Sequence, residues 1–417
     1  MTFALSSEQE AVRDLVRRIA RERVAPRAAE IDASGEYPQD MFDLLREVGL
    51  FTLPYPSEHG GSGSLLSGCI AVEELGRVCY NTAYLLVVQW VPLGTIMAGG
   101  TPEQKARLLP GLASGATRAA FSLTEPQSGS DVAGIRTRAR PDGDGFVLNG
   151  AKIWCTNAAV SDFVLVGARL ERPDERGDVN FFMVERDRPG FRIERKEEKM
   201  GARGVPSSAL FFDDVKLPKE NLLGGGAGGF RSVMEALNRS RPIIAARAVG
   251  LAQGAMDHAI GFARDRRAFG ISVASYQGIR WMIADMAIQI QAARQLTYAA
   301  AAAADAGKSG GELAALAASA KCFASDVAMK VATDAVQIFG ASGISNDFPI
   351  NRYFRDAKVV QIIKGPSQIQ RNIVARDVIG RMERMEWRRQ TTCPVWALAC
   401  ISRTFRSGAA SGPSAAQ

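Results

Sequence analysis

The feature that most limits how this chain can fold is that its apolar residues change period twice. Val12, Leu15, Val16 and Ile19 recur at i, i+3, i+4 and i+7, one face of a helix. Ser7 and Glu10 have the spacing of a capping box ahead of them. Met41, Leu44, Leu45 and Val48 repeat the helical spacing and stop at Gly49. After a Gly/Ser cluster at 59–64, a third and more apolar helix is expected over about 70–98. From about 119 to 223 the period shortens to that of strands. Asn149-Gly150 between apolar runs signals a hairpin, which Trp154-Cys155-Thr156 would close. Residues 163–166, 180–184, 191–193 and 210–212 read as further strands. Beyond the glycine-rich hinge at 224–229 the helical period returns and persists to about Arg381. Such helices must bury their apolar faces against one another as a bundle. The expected order is an N-terminal helical domain at 1–118, a β-barrel domain at 119–226, a helical bundle at 227–381 and an irregular tail at 382–417.

Composition removes several classes of function. Of 417 residues, 47% are apolar and 23% charged, ordinary for a globular protein with a large core. No apolar run approaches the ~20 residues of a membrane span, so no membrane insertion is expected. The N-terminus enters a charged amphipathic pattern directly, without an apolar signal core, and a cytoplasmic location is expected. Two histidines and six cysteines with no CxxC spacing leave little for a metal centre, a Ser-His-Asp triad or a disulfide scaffold. A net charge of +7 without zinc-finger spacing, an RNP-like aromatic motif or a dense basic stripe argues against nucleic acid. It suits an anionic small molecule.

Four motifs carry chemistry. Residues 121–134 read FSLTEPQSGSDVAG, a short apolar strand running into a turn dense in hydroxyls and glycine, which can present backbone N–H groups to an anionic or heteroaromatic ligand. Trp154 beside Thr156 offers a flat ring and a hydroxyl, although a lone Trp is more often simply core. Arg266, Arg267, Ala268, Phe269 and Gly270 end a helix and lead to Tyr276 and Gln277, and cations there also suit the helix dipole. Small residues interleave with apolar ones from Gln337 to Ile344, letting backbone approach a ligand or another helix.

In this order and spacing the motifs resemble the acyl-CoA dehydrogenase family, over about residues 5–380. The matching stretches are LTEPQSGSDVAG, IWCTNAA, RAVGLAQ, RRAFG, ATDAVQIFGASGI and FRDAKVVQI..GPSQIQRNIVAR. Ser122 and Ala341 are small departures from the family pattern. The resemblance implies N-terminal helices, a middle β-barrel, a C-terminal four-helix bundle, and FAD shared across a dimer interface within a homotetramer that is a dimer of dimers. It implies that Phe121, Leu123, Thr124, Gly129, Ser130, Trp154 and Thr156 line the flavin and pyrophosphate. It places Arg266, Phe269, Gln277, Gln337 and Gly340 toward the adenine half from a neighbouring subunit, with Gln368 also on the cofactor. Ser130, Phe230, Met234 and Arg241 are implied contacts of the acyl-CoA, and an electron-transfer flavoprotein is the implied acceptor.

The family's reaction needs a base for a weakly acidic α-proton, within hydrogen-bond reach. Where most members place Glu, this chain has Lys364, in the turn Ile363-Lys364-Gly365-Pro366-Ser367-Gln368. Pro366 stands where a cofactor-binding Thr is usual. A second base position falls at Ser240, and a third lies in a stretch with no acid between Glu74 and Glu103. A free lysine titrates near 10.4 and is no base, but burial can lower that by several units. A charged Lys364 would instead attract an anion. The 3-sulfinopropionyl-CoA desulfinases also lack the Glu, and this chain resembles them over 276–286 while lacking their Arg within 80–90. A redox-neutral lyase and a catalytically silent subunit are therefore the alternatives to desaturation. Glu235 and Asp347 are the acids to inspect as substitutes. The first reads as a solvated helix residue and the second as a turn cap.

Overall fold

The first helix, α1 (Ser7–Ile19), is capped one residue earlier than its pattern suggests. In this computed structural model, which describes residues 4–56, 61–171, 178–226 and 229–380, Ser6 is the N-cap. Its hydroxyl accepts from the Gln9 amide, and the Gln9 side chain accepts from the Ser6 amide, so Ser6 and Gln9 replace the expected Ser7 and Glu10. The Ser-x-x-Gln spacing satisfies the same two orphan donors. Helices α2 (Ala28–Ser34) and α3 (Gln39–Glu47) follow, and Gly49 at φ 73 ends the latter as expected. The single helix expected over 70–98 is two, α4 (Leu65–Gly76) and α5 (Tyr80–Gly99), with Cys79 capping the second. By length and composition α5 could cross a membrane, contrary to expectation, yet 78% of its most apolar window is buried inside the protein. It is a core helix, followed by α6 (Pro102–Ser114).

Strands β1 (Ala119–Ser122), β2 (Arg138–Asp142), β3 (Gly145–Thr156), β4 (Phe163–Leu170), β5 (Val179–Glu185), β6 (Phe191–Lys196) and β7 (Ser207–Leu217) form one sheet. β4 takes β1 and β2 in parallel along one edge and β5 antiparallel along the other; the path runs on through β3, β7 and β6. Ala120, Ala139, Leu148, Val164, Phe182, Phe191 and Leu210, one from each strand, share a single apolar cluster. The sheet therefore wraps round its own core. The hairpin expected at Asn149-Gly150 is not there: β3 runs through it. The chain turns instead at 143–144, where Asp142 pairs with Gly145. Asn149-Gly150 forms a bulge against β7. Asn149 bonds Asp214 through both its amide nitrogen and oxygen. Gly150, at φ 142, has no room for a side chain, since a Cβ would lie 2.7 Å from Thr137 Cα. Trp154-Cys155-Thr156 accordingly ends a strand rather than closing a hairpin.

The glycine break holds Gly224, Gly225 and Gly226 at positive φ. Then come α7 (Gly229–Asp265), a small hairpin of β8 (Arg267–Ala268) and β9 (Ile271–Ser272), α8 (Gln277–Asp305), α9 (Gly310–Phe339), α10 (Ile350–Ile362) and α11 (Ser367–Ile379). Buried alanines on α7 and α9, such as Ala245, Ala252, Ala317 and Ala328, let these helices pack closely. The tail at 382–417 lies outside the described residues.

One buried ion pair fixes the turn after β1. The Lys152 amine donates to Glu125 Oε1 at 2.7 Å and to the Leu123 carbonyl at 3.0 Å. Glu125 also accepts from the Arg136 and Thr137 amides at 2.6 and 2.9 Å. Burial alone would raise this carboxyl, yet those donors hold it down at about 2. Replacing Lys152 by Met should cost about 3–5 kcal/mol in chemical unfolding, because it strands a buried carboxylate. The Lys152→Met/Glu125→Leu double variant should recover most of the loss. A single variant as stable as the parent would contradict this role.

Candidate active site

Backbone strain marks the site before any side chain does. Among the described residues six non-glycines have clearly positive φ, and three of them, Trp154 (58), Phe269 (51) and Lys364 (54), are residues singled out from sequence. Such conformations persist only where the surroundings enforce them. The turn bearing Lys364 joins α10 to α11 and is held from inside. The Lys321 amine, on α9, donates to the Gly365 carbonyl at 3.0 Å, and the Gln370 amide donates to the same oxygen at 2.9 Å. The result points the Lys364 amine over the Phe121 ring, 4.8 Å from its centroid. Burial draws that amine down to about 8, Cys155 opposing and Arg247 assisting.

Of the first group of expected residues, Phe121 and the end of β3 lie by this contact. Phe121 is half-buried on β1, stacked on Phe181 at 5.3 Å. The Ile153 amide donates to the Thr124 carbonyl at 3.0 Å, laying the end of β3 beside the turn. Leu123 and Thr124 are half-buried, and Gly129 and Ser130 are exposed. Trp154 is 53% exposed, so it is not a core tryptophan. Thr156 Oγ1 lies 3.1 Å from Ser207 Oγ. On α7, Met234 is half-buried against the main core. Arg241 bonds Asn238, and burial draws its guanidinium down to about 10. The side chain of Phe230 lies outside the described residues.

The second group gathers at one end of the bundle. Arg266, Phe269, Gln277, Gln337 and Gly340 are all exposed. Phe269 caps the β8–β9 hairpin at 97% exposure. Phe262 of α7 stacks on Phe339 of α9 at 4.2 Å, bringing the two helix ends together. Gln368 is exposed at the start of α11. No hydrogen bond, ion pair or ring contact among the described residues links this group to Lys364.

The substitute acids stay in their modest roles. Glu235 is a half-buried residue of α7, and Asp347 is an exposed turn residue bonded to Ser345. Ser240 donates its hydroxyl to the Leu237 carbonyl at 2.8 Å. Sequence reasoning missed the Glu125–Lys152 pair, the brace from Lys321, and Arg247. The last two carried a signal: each is a lone cation inside an apolar or alanine-rich helical stretch.

Three family models match in chain order: acyl-CoA dehydrogenase N-terminal domain over 6–116, middle domain over 120–215 and C-terminal domain over 227–379. The chain belongs to the acyl-CoA dehydrogenase family. A cyclohexane-1-carbonyl-CoA dehydrogenase of Geobacter metallireducens is 42% identical over 381 residues, 90% of this chain and 99% of that one. Butyryl-CoA dehydrogenase of Megasphaera elsdenii superposes with a TM-score of 0.87 at 36% identity, covering 91% of this chain and all of that one. A chain solved in work on the electron transferring flavoprotein of Acidaminococcus fermentans gives a TM-score of 0.87 at 39% identity, with 91% and 100% coverage. Family members are oxidoreductases and their cofactor is FAD.

The local chemistry fits a flavin. An exposed indole and a half-buried phenyl flank hydroxyls at Thr124, Ser130 and Thr156. Gly129 has open space where a Cβ would stand. Lys364→Gly, which removes both a left-handed side chain and a desolvated charge, should stabilise the protein by about 1–2 kcal/mol. Thermal unfolding at equal flavin occupancy checks this, and a less stable variant would contradict the strain.

Proposed function

We propose that this enzyme desaturates an acyl-CoA thioester at its α,β-bond with FAD, passing the electrons to an electron-transfer flavoprotein. The observation that carries the reading is the Lys364 amine, lowered to about 8 by burial and held over Phe121 beside the end of β3. Phe121, Leu123, Thr124, Gly129, Ser130, Trp154 and Thr156 would hold the flavin ring and pyrophosphate, with Gln368 close by. FAD, when bound, supplies the acceptor for the β-hydride. Lys364, as the free amine, takes the α-proton at Nζ. The ammonium so formed then lies beside the enolate it has created, where its charge is stabilising. Ser130, Phe230, Met234 and Arg241 would contact the acyl-CoA.

A neighbouring subunit would complete the cofactor site. Phe269 is almost wholly exposed, and Ile271, Trp281 and Ile288 are large apolar side chains also left in solvent. Such a stripe suits an interface. In a homotetramer Arg266, Phe269, Gln277, Gln337 and Gly340 would reach a partner's FAD. The relatives that act on cyclohexane-1-carbonyl-CoA and butyryl-CoA support an acyl-CoA substrate. The four described cysteines are free thiols, in keeping with a cytoplasmic protein.

A redox-neutral lyase is the second reading, favoured by the absence of any carboxylate bonded to Lys364 among the described residues. Anaerobic addition of short acyl-CoAs to the purified protein separates these. Bleaching of the flavin supports desaturation. A flavin that stays oxidised while sulfite or another leaving group appears supports the lyase. Colourless protein would mean a silent subunit. Lys364→Glu should raise the bleaching rate at pH 7, since a carboxylate is ionised there; no gain with FAD still bound would count against this placement of the base.

A further inference from the structure

Arg247 is the largest side chain buried completely in the described protein, at 0% exposure. It leaves α7 in the middle of an apolar run and meets α5. Its guanidinium carbon lies 4.2 Å from the Tyr80 ring centroid and 3.7 Å from that of Tyr84. Neither Nε nor either terminal nitrogen has a hydrogen-bond partner. Burial pushes the Tyr80 hydroxyl up, and the guanidinium opposes this through its charge and a weak hydrogen-bonding contact, although neither group reaches full hydrogen-bond geometry. Gly76 lets α4 approach the α7 backbone here, since a Cβ there would sit 3.1 Å from the Arg247 carbonyl oxygen. Two aromatic faces offset part of the cost of burying a cation. They leave five donor hydrogens unspent, and an unpaired buried charge is costly unless something pairs with it.

The other groups nearby do not supply the anion. Lys364 and Lys321 are close enough for Arg247 to lower their amines, and Lys321 is committed to backbone carbonyls. Of the buried carboxylates, Glu73 is taken by Arg294 and Tyr298, Glu74 by Arg17 and Asp32 by Arg355, while Asp356, near Tyr80, accepts from the Ala202 amide and is pushed up to about 7 by burial. Hence the Lys364 amine feels Cys155 and the guanidinium, and no carboxylate.

We propose that Arg247 is the recognition site for an anionic group on the acyl chain, so that the substrate is an acyl-CoA ending in a carboxylate. This rests on the acyl-CoA reading above and narrows it. The planar guanidinium clamps a carboxylate through two parallel hydrogen bonds, with Tyr80 able to add a third. An acyl chain ending in methyl would leave the charge unpaired, and so loses affinity.

Calorimetric titration of the FAD-loaded enzyme with acyl-CoA pairs of equal chain length tests this: succinyl against butyryl, glutaryl against pentanoyl, adipoyl against hexanoyl. At least one carboxylate member should bind about tenfold or more tighter than its methyl partner. Arg247→Gln should abolish that preference while retaining affinity for the methyl partner, and Arg247→Lys should keep part of it. Wild-type enzyme that binds every methyl partner as tightly overturns the proposal and leaves the acyl-CoA reading intact. Binding of neither member of any pair overturns both. Since the wild-type comparison decides the matter by itself, a variant that fails to fold does not shelter the idea.

Discussion

Burying positive charge without a counter-ion is the constraint on which this structure turns. Taking an ion out of water costs several kcal/mol after relaxation, and proteins normally repay it by pairing. This one does so in most of its interior. Glu125 sits on Lys152, Glu73 on Arg294 and Asp32 on Arg355. At the meeting of α5, α7 and the α10–α11 turn it does not. Arg247 lies between two tyrosine rings and Lys364 over a phenylalanine, and neither has an acid. Such an arrangement is expensive in the free protein and becomes favourable when an anion, or a developing negative charge, arrives.

The rest of the fold serves to hold that region still. The Glu125–Lys152 pair ties the hydroxyl-rich turn to the end of β3. Lys321 and Gln370 grip one carbonyl of the strained turn that presents Lys364. Trp154, Phe269 and Lys364 all sit in left-handed backbone, and each projects a side chain toward open space or across an element boundary. Local stability is lost at these points and recovered in the alanine-packed bundle and the enclosed sheet core.

Much of this was legible in sequence because period and punctuation are local. The switch from helical to strand spacing and back located three regions, and Gly49 ended its helix as its lack of a side chain allows. Failures came where two local signals competed. Ser6-x-x-Gln9 outbid Ser7-x-x-Glu10 for the same donors. Gly143-Asp144 took the turn that Asn149-Gly150 also advertised, leaving the latter to make a bulge. The apolar stretch at 70–98 hid a break at Cys79, because a cysteine cap carries almost no signal. The motifs placed Phe121, Thr124, Trp154 and Lys364 in one neighbourhood. Arg247 shows in sequence only as a lone cation in an apolar stretch, with nothing to mark it as a site residue: a guanidinium's worth depends on what faces it across space, and the facing tyrosines lie more than 160 residues earlier in the chain.

The base proposed for this enzyme is a lysine amine brought down to about 8 by burial, charged in most molecules at neutral pH but with a free fraction that can do the work a carboxylate does in most of the family. Only the free amine accepts a proton, and its population grows as pH rises through about 8. The rate of anaerobic flavin reduction by saturating acyl-CoA, followed from pH 6.5 to 9.5, should therefore climb through about 8 and level off above it. Lys364→Met should lose both the climb and most of the rate. A profile that is flat or falls over that range, or a methionine variant that reduces its flavin as fast as the parent, would contradict the claim.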